Sequence, residues 1–128
     1  MIGYALVGSN DLPKALDFYD ALLGTIGAGK AFDHPSGGRV YGVAADKPMF
    51  GVVAPFNGEA ATPGNGTMIS FLLDSHDQIR ALHDKAIALG GTSEGEPGWR
   101  GPEGGYYGAY FRDPDGNKLC AYRHGPEA

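Results

Sequence analysis

Cysteine is almost missing. Cys120 is the only one, so no internal disulfide can form, and the chain suits a reducing compartment such as the cytoplasm. No apolar run approaches the ~20 residues that a membrane-crossing helix needs, which argues against a membrane protein. Basic residues are few, 10 Lys and Arg against 15 Asp and Glu, for a net charge of −5. They never gather into a stripe, so the electrostatic footprint of a nucleic-acid binder is absent. The opening MIGYALVGSNDL has no basic region ahead of an apolar stretch and reads as a first strand rather than a signal peptide.

Glycine and proline are abundant instead, 22 and 9 residues spread over the 128. That distribution fits many short turns between short strands better than a disordered tract. Apolar residues make up 42% of the chain, and a single domain of this length (1–128) buries roughly two thirds of its unfolded surface.

Apolar spacing divides the chain into two similar halves. Ile2 to Gly8 predicts a strand. Asn10-Asp11 supplies a helix N-cap, and Pro13 falls in the first turn, where a missing N–H costs little. Leu12, Ala15, Leu16, Tyr19, Leu22 and Leu23 recur at helical spacing until Gly24 and Gly27 end the helix. Three short strands are expected around Phe32, Arg39–Val43 and Met49–Ala54, and a turn-rich linker at 57–66. The pattern then restarts with a strand at Thr67–Leu73. A helix follows, capped by Asp74 or Ser75, carrying Ile79, Leu82, Ala86 and Leu89 on one face and stopped by Gly90-Gly91. After another glycine-rich stretch, Tyr106–Arg112 and Lys118–Arg123 read as a hairpin around Asp113-Pro114-Asp115-Gly116. Tyr4 and Met68, Asn10 and Asp74, and Phe18 and Leu82 occupy equivalent places at an offset of 64. The expected class is α+β: two βαβββ modules, about 1–56 and 67–124, whose paired mixed sheets form an open barrel-like cavity with helices outside.

Three segments resemble one family. GYALVGSNDLPKALDFYDALLG is similar to the opening strand and helix of the vicinal oxygen chelate superfamily, which includes glyoxalases, bleomycin-resistance proteins and dioxygenases. GNGTMISFLL resembles the start of its second module, and YYGAYFRDPDGNKLCAY its closing hairpin. Metal-dependent members such as lactoylglutathione lyases use His and Glu on four strands to hold a divalent ion, which stabilises an enediolate. The resemblance places those ligand positions on Tyr4, Met68, Cys120 and about Phe50. Such side chains suit nickel, zinc or manganese poorly, so no metal and no other cofactor is expected. His34, His76, His83 and His124 do not rebuild a site; His76 and His83 stand seven apart on one helix, about 10 Å along its axis.

The expected pocket is apolar and aromatic. A four-residue loop at 113–116 would set Ala109 opposite Cys120 and Tyr107 opposite Tyr122. Tyr107, Phe111, Cys120 and Tyr122 would then face the former metal position with Tyr4, Phe50 and Met68. Trp99 would close over a ligand or anchor its loop, and Arg39 or Arg100 would pair with a ligand carboxylate or lie in solvent. The expectation is a protein that binds a small aromatic or amphipathic molecule. The metal-free antibiotic-binding members it resembles imply a homodimer. The alternative is a lactoylglutathione-lyase-like or other lyase, isomerase or dioxygenase enzyme, with Tyr4 or Cys120 as acid or nucleophile.

Overall fold

A computed structural model describes residues 1–128. Strand β1 (Tyr4–Gly8) leads into helix α1 (Leu12–Gly24), followed by β2 (Gly29–Asp33), β3 (Arg39–Gly42) and β4 (Met49–Val53). The second half repeats this order with β5 (Ile69–Leu72), α2 (His76–Ala88), β6 (Thr92–Trp99), β7 (Tyr106–Arg112) and β8 (Lys118–His124). The N-terminal sheet has the order β1-β4-β3-β2 and the C-terminal sheet β5-β8-β7-β6. In each, the first strand pairs in parallel with the last and the rest pair antiparallel. The α+β class and the duplication therefore hold, and the two 13-residue helices begin and end 64 positions apart. The sheets are two separate four-stranded units, not closed into a barrel. No helix is long and apolar enough to cross a membrane.

Local chemistry explains the elements. The Asp11 side chain caps α1 by accepting from the Lys14 N–H, and Ser75 caps α2 by accepting from the Gln78 N–H. Gly90, at φ +99°, lets the chain leave α2, and the Gly91 N–H bonds back to the Ala86 carbonyl. The glycine-rich stretch after α2 forms an edge strand, β6, which tolerates Pro97 because its outer side needs no ladder partner. Two register shifts in its pairing with β7 absorb the extra glycines.

One face of each helix fills the core. Ala15, Phe18, Tyr19, Leu22 and Leu23 are buried on α1, and Ile79, Leu82, His83 and Ala86 on α2. A single cluster of 19 buried residues runs through both modules. Phe50 of β4 meets Tyr19 at 5.1 Å and Phe71 of β5 at 5.2 Å between ring centroids, so aromatic edges cross from one module to the other.

The modules are also joined by a polar lock. Asp113 is 3% exposed and has no cationic partner, yet its carboxylate is fully bonded. Oδ1 accepts from the Asp115 and Asn117 N–H groups. Oδ2 accepts from Asn117 Nδ2 at 2.9 Å and from the Tyr19 hydroxyl at 2.5 Å. Four donors fill the roughly four lone-pair sites of a carboxylate. Asn117 Nδ2 also donates to the Gly8 carbonyl, and the Asn10 N–H donates to Asp115. The β7–β8 turn thus grips β1 and α1 of the other half.

Tyr19→Phe should remove one buried hydrogen bond to a charged acceptor, lowering unfolding free energy by about 1.5–3 kcal/mol. Urea denaturation, read as a lower midpoint at unchanged slope, checks this. Burial first, then the Asp113 charge, holds the Tyr19 hydroxyl proton well above its ordinary range. An unfolded tyrosine releases that proton near pH ~10 while the folded one keeps it. Stability should therefore be full below pH ~10 and fall as pH rises, by up to about 1.4 kcal/mol per pH unit for this group. The alkaline slope should be shallower in Tyr19→Phe, measured by the same denaturation between pH 8 and 11.

Candidate functional site

Strand alternation gives each sheet a helix-facing side and an open side. On the N-terminal sheet the open side carries Tyr4 and Leu6, 62% and 39% exposed. Tyr4 stands beside Met49, and Leu6 beside Gly51 and Val40. Gly51 is small because a Cβ there would come within 2.8 Å of the Leu6 side chain.

The C-terminal sheet presents its open side in rows. Ser70, Cys120 and Tyr110 form one row, and Leu72, Tyr122 and Gly108 the next. On the other flank lie Lys118 and Arg112, with Met68 just ahead of β5. Two side chains lie flat on this surface because glycines leave room. A Cβ on Gly108 would meet the Tyr106 ring at 2.7 Å, and one on Gly95 would meet Arg100 and Tyr110 at 3.1 Å. Tyr106 stacks on Tyr122 at 5.3 Å and 9°. Its hydroxyl contacts the Cys120 sulfur at 3.3 Å and accepts from the Tyr110 hydroxyl at 3.5 Å. Burial first, then the bond to Cys120, raises the Tyr106 pKa far above its usual range, so the group stays a neutral phenol. The Arg100 guanidinium and the Lys118 ammonium lie 5.4 and 5.8 Å from the Tyr110 ring centre.

The sequence-derived site residues divide between the two sides. Tyr4, Met68, Cys120 and Tyr122 belong to the open sides. Tyr107 and Phe111 do not: the hairpin register pairs Tyr110 with Cys120 and Gly108 with Tyr122. Asn117 belongs to the turn, which spans five residues rather than four, and one residue of slip turns the strand over. Tyr107 and Phe111 therefore join the helix-facing core, 7% and 0% exposed. Phe50 is also core, 6% exposed, since its neighbours Met49 and Gly51 hold the open-side positions. Trp99 pairs with Tyr107 and packs edge-on against it at 5.2 Å and against His76 at 4.9 Å, so it anchors its loop on the helix side. Tyr106, Tyr110 and Arg112 also stand on the open side, with Lys118, and the sequence did not single out those three. The period-two alternation of YYGAYFR pointed to Tyr106 and Tyr110 once the register is known.

Charged groups follow the same division. Arg39 is engaged by Asp20 at 2.5 Å, the same carboxylate that accepts from the Tyr41 hydroxyl. Arg100 donates to the Gly98 and Glu96 carbonyls. No three His, Cys, Asp or Glu side chains converge anywhere in the chain, and the donors at the family's ligand positions are a phenol, a thioether and a buried thiol. Within one chain the residues present do not fit a divalent ion. A groove of about 740 Å³ opens at the edge of the C-terminal sheet between residues 62–68, Arg112 and Lys118.

Two consecutive βαβββ units, each with a parallel first-to-last strand pair, define a class of duplicated α+β proteins. This chain belongs to the Glyoxalase/Bleomycin resistance protein/Dioxygenase superfamily, whose family model matches residues 1–121. It is similar to a glyoxalase/bleomycin resistance protein from Albidiferax ferrireducens T118, at 44% identity and a TM-score of 0.85, over 95% of this chain and 97% of that one. It shares its fold with a glyoxalase/bleomycin resistance protein/dioxygenase family enzyme from Burkholderia phytofirmans PsJN, at 21% identity and a TM-score of 0.70, over 94% and 95%. The fold also matches a glyoxalase-related enzyme from Fulvimarina pelagi, at 18% identity and a TM-score of 0.71, over 100% and 96%. No curated protein matches the chain.

Cys120 is 0% exposed and sits under the Tyr106 phenol, so a thiol reagent should react slowly with the native protein. Tyr106→Ala should uncover it and raise the rate by about tenfold or more, whereas Tyr106→Phe, which keeps the ring, should change it little. Stopped-flow thiol titration checks this. An unchanged rate in Tyr106→Ala would mean that other groups cover the sulfur.

Proposed function

We propose that this protein binds a small aromatic or amphipathic molecule on the open side of its C-terminal sheet, without a metal ion. The carrying observation is the surface around Cys120: Tyr106 and Tyr122 are stacked, Tyr110 lies beside them, and the neighbouring Met68 and Leu72 are 40% and 62% exposed. Flat aromatic rings next to apolar side chains favour a planar ligand, which gains by stacking and by leaving water. The ligand positions typical of the family hold Tyr4, Met68 and Cys120 here, which supports reading the metal site as degenerate. Cys120 carries no enzyme reading, since its nearest polar partner is a neutral phenol rather than a base.

The exposed open sides also support a homodimer. Tyr4, Leu6, Met68 and Leu72 are large apolar groups left in solvent by one chain, and a second copy would cover them and close the ligand site.

Chelator-treated protein should show no thermal shift with nickel, cobalt, zinc, manganese or iron. A site held at 100 times its Kd would add about 2.7 kcal/mol, a shift on the order of 10 °C for a domain of this size. Planar aromatic compounds should instead raise the melting temperature. Tyr122→Ala should weaken them by about 3- to 10-fold, the worth of one aromatic pair. A large shift with any one ion would defeat the metal-free reading.

A further inference from the structure

We infer that the ligand carries an acid group: the site takes a small planar aromatic carboxylate, whose ring lies over Tyr110 and Tyr106 and whose carboxylate enters the groove at Lys118 and Arg112. This rests on the binding reading above and adds the charge of the ligand and its direction on the sheet.

The distribution of charge carries the inference. The chain as a whole is acidic, with a net charge of −5. The open side of its C-terminal sheet nevertheless sets Arg100 and Lys118 against the Tyr110 ring, with Arg112 across the strand from Lys118. Neither Arg100 nor Lys118 belongs to any ion pair of the chain, and Glu94 is the one carboxylate bonded in this group. Glu94 is taken up by Arg112, whose Nε donates to it at 2.6 Å. Arg112 Nη1 is fixed on the Gly116 carbonyl at 2.9 Å, which leaves Nη2 without a protein partner. Two cations with unused donors therefore border a groove of about 740 Å³ whose remaining wall, residues 62–68, holds no charged side chain. With Arg112 already paired to Glu94, the Lys118 ammonium is the uncompensated charge beside the partly enclosed groove, and it favours an anion.

The strand register supplies the direction. Lys118 and Arg112 are cross-strand partners, and the next open-side row carries Cys120 and Tyr110. An acid group held by the first pair puts the attached ring over Tyr110, two residues along each strand, and on toward the Tyr106–Tyr122 stack. Recognition of a flat anion thus needs no movement of the sheet.

The test uses three probes of one shape on the intact protein: 2-naphthoate, its neutral amide, and 2-naphthylmethylammonium. Titration calorimetry should find the carboxylate about tenfold or more tighter than the amide, and the ammonium weakest. Raising salt from 50 to 500 mM should weaken the carboxylate alone. Lys118→Met should cut the preference for carboxylate over amide to less than about threefold, and Lys118→Arg should keep the preference. Equal binding of the three probes, or a preference untouched in Lys118→Met, overturns the assignment of an acid group and leaves planar binding standing. If none of the three binds, both readings fall, and the open side is then a contact for a second copy of the chain.

Discussion

The buried carboxylate of Asp113 is the constraint on which the arrangement of the two halves depends. A charge without a cation inside a protein is tolerable only when its lone pairs are filled, and here four neutral donors fill them. One comes from α1, two come from the turn's own backbone, and one comes from Asn117, which also holds the end of β1. Three of the four donors belong to the turn itself, so the tie to the other module runs through the Tyr19 hydroxyl and through Asn117 Nδ2, which also bonds the Gly8 carbonyl. The lock therefore couples the closing hairpin of one module to the opening strand and helix of the other. The apolar cluster shared by the modules supplies attraction but little direction. The polar lock supplies direction, because a misplaced turn would leave the buried carboxylate without its Tyr19 donor and the Gly8 carbonyl without Asn117.

This accounts for which parts of the molecule were legible from its residues. The segments that carry the family resemblance, FY in the first helix and DPDGN in the hairpin, contain Tyr19, Asp113 and Asn117. They are readable because a geometric lock admits few alternatives. Helix limits were readable for a similar reason: Asp11 and Ser75 are caps with a specific bond to make. The site was less legible. Which side of β7 is the open one depends on whether Asn117 is counted in the turn or in the strand, and that is settled by its side chain bonding to Asp113 and to Gly8 109 positions away. No local pattern encodes a contact so distant in sequence. The misplacing of Tyr107 and Phe111 follows from that single residue, and the misplacing of Phe50 from the same one-position uncertainty on β4.

The glycines of β6 and β7 show a second limit of local reading. In sequence they suggest a loose loop. In the sheet, Gly95 and Gly108 are gaps in the surface that side chains from neighbouring positions occupy. Without them Tyr106 and Arg100 would stand up from the sheet instead of lying along it, and the face would not present rings and a guanidinium edge to edge. Such a surface is specified by the absence of Cβ atoms, which no count of functional residue types detects.

The lock and the site are finally parts of one hairpin. The turn that buries Asp113 begins right after Arg112 and ends right before Lys118, so the bond between the Asp113 N–H and the Asn117 carbonyl sets those two side chains across from each other. Arg112 is steadied further by the Gly116 carbonyl inside the same turn. Loss of the lock would thus act on the groove directly, by changing the spacing of its two cations, as well as through stability. The edge of the open side thus has a well-ordered polar end. The order comes from the turn that joins the modules, and the residues flanking that turn inherit it.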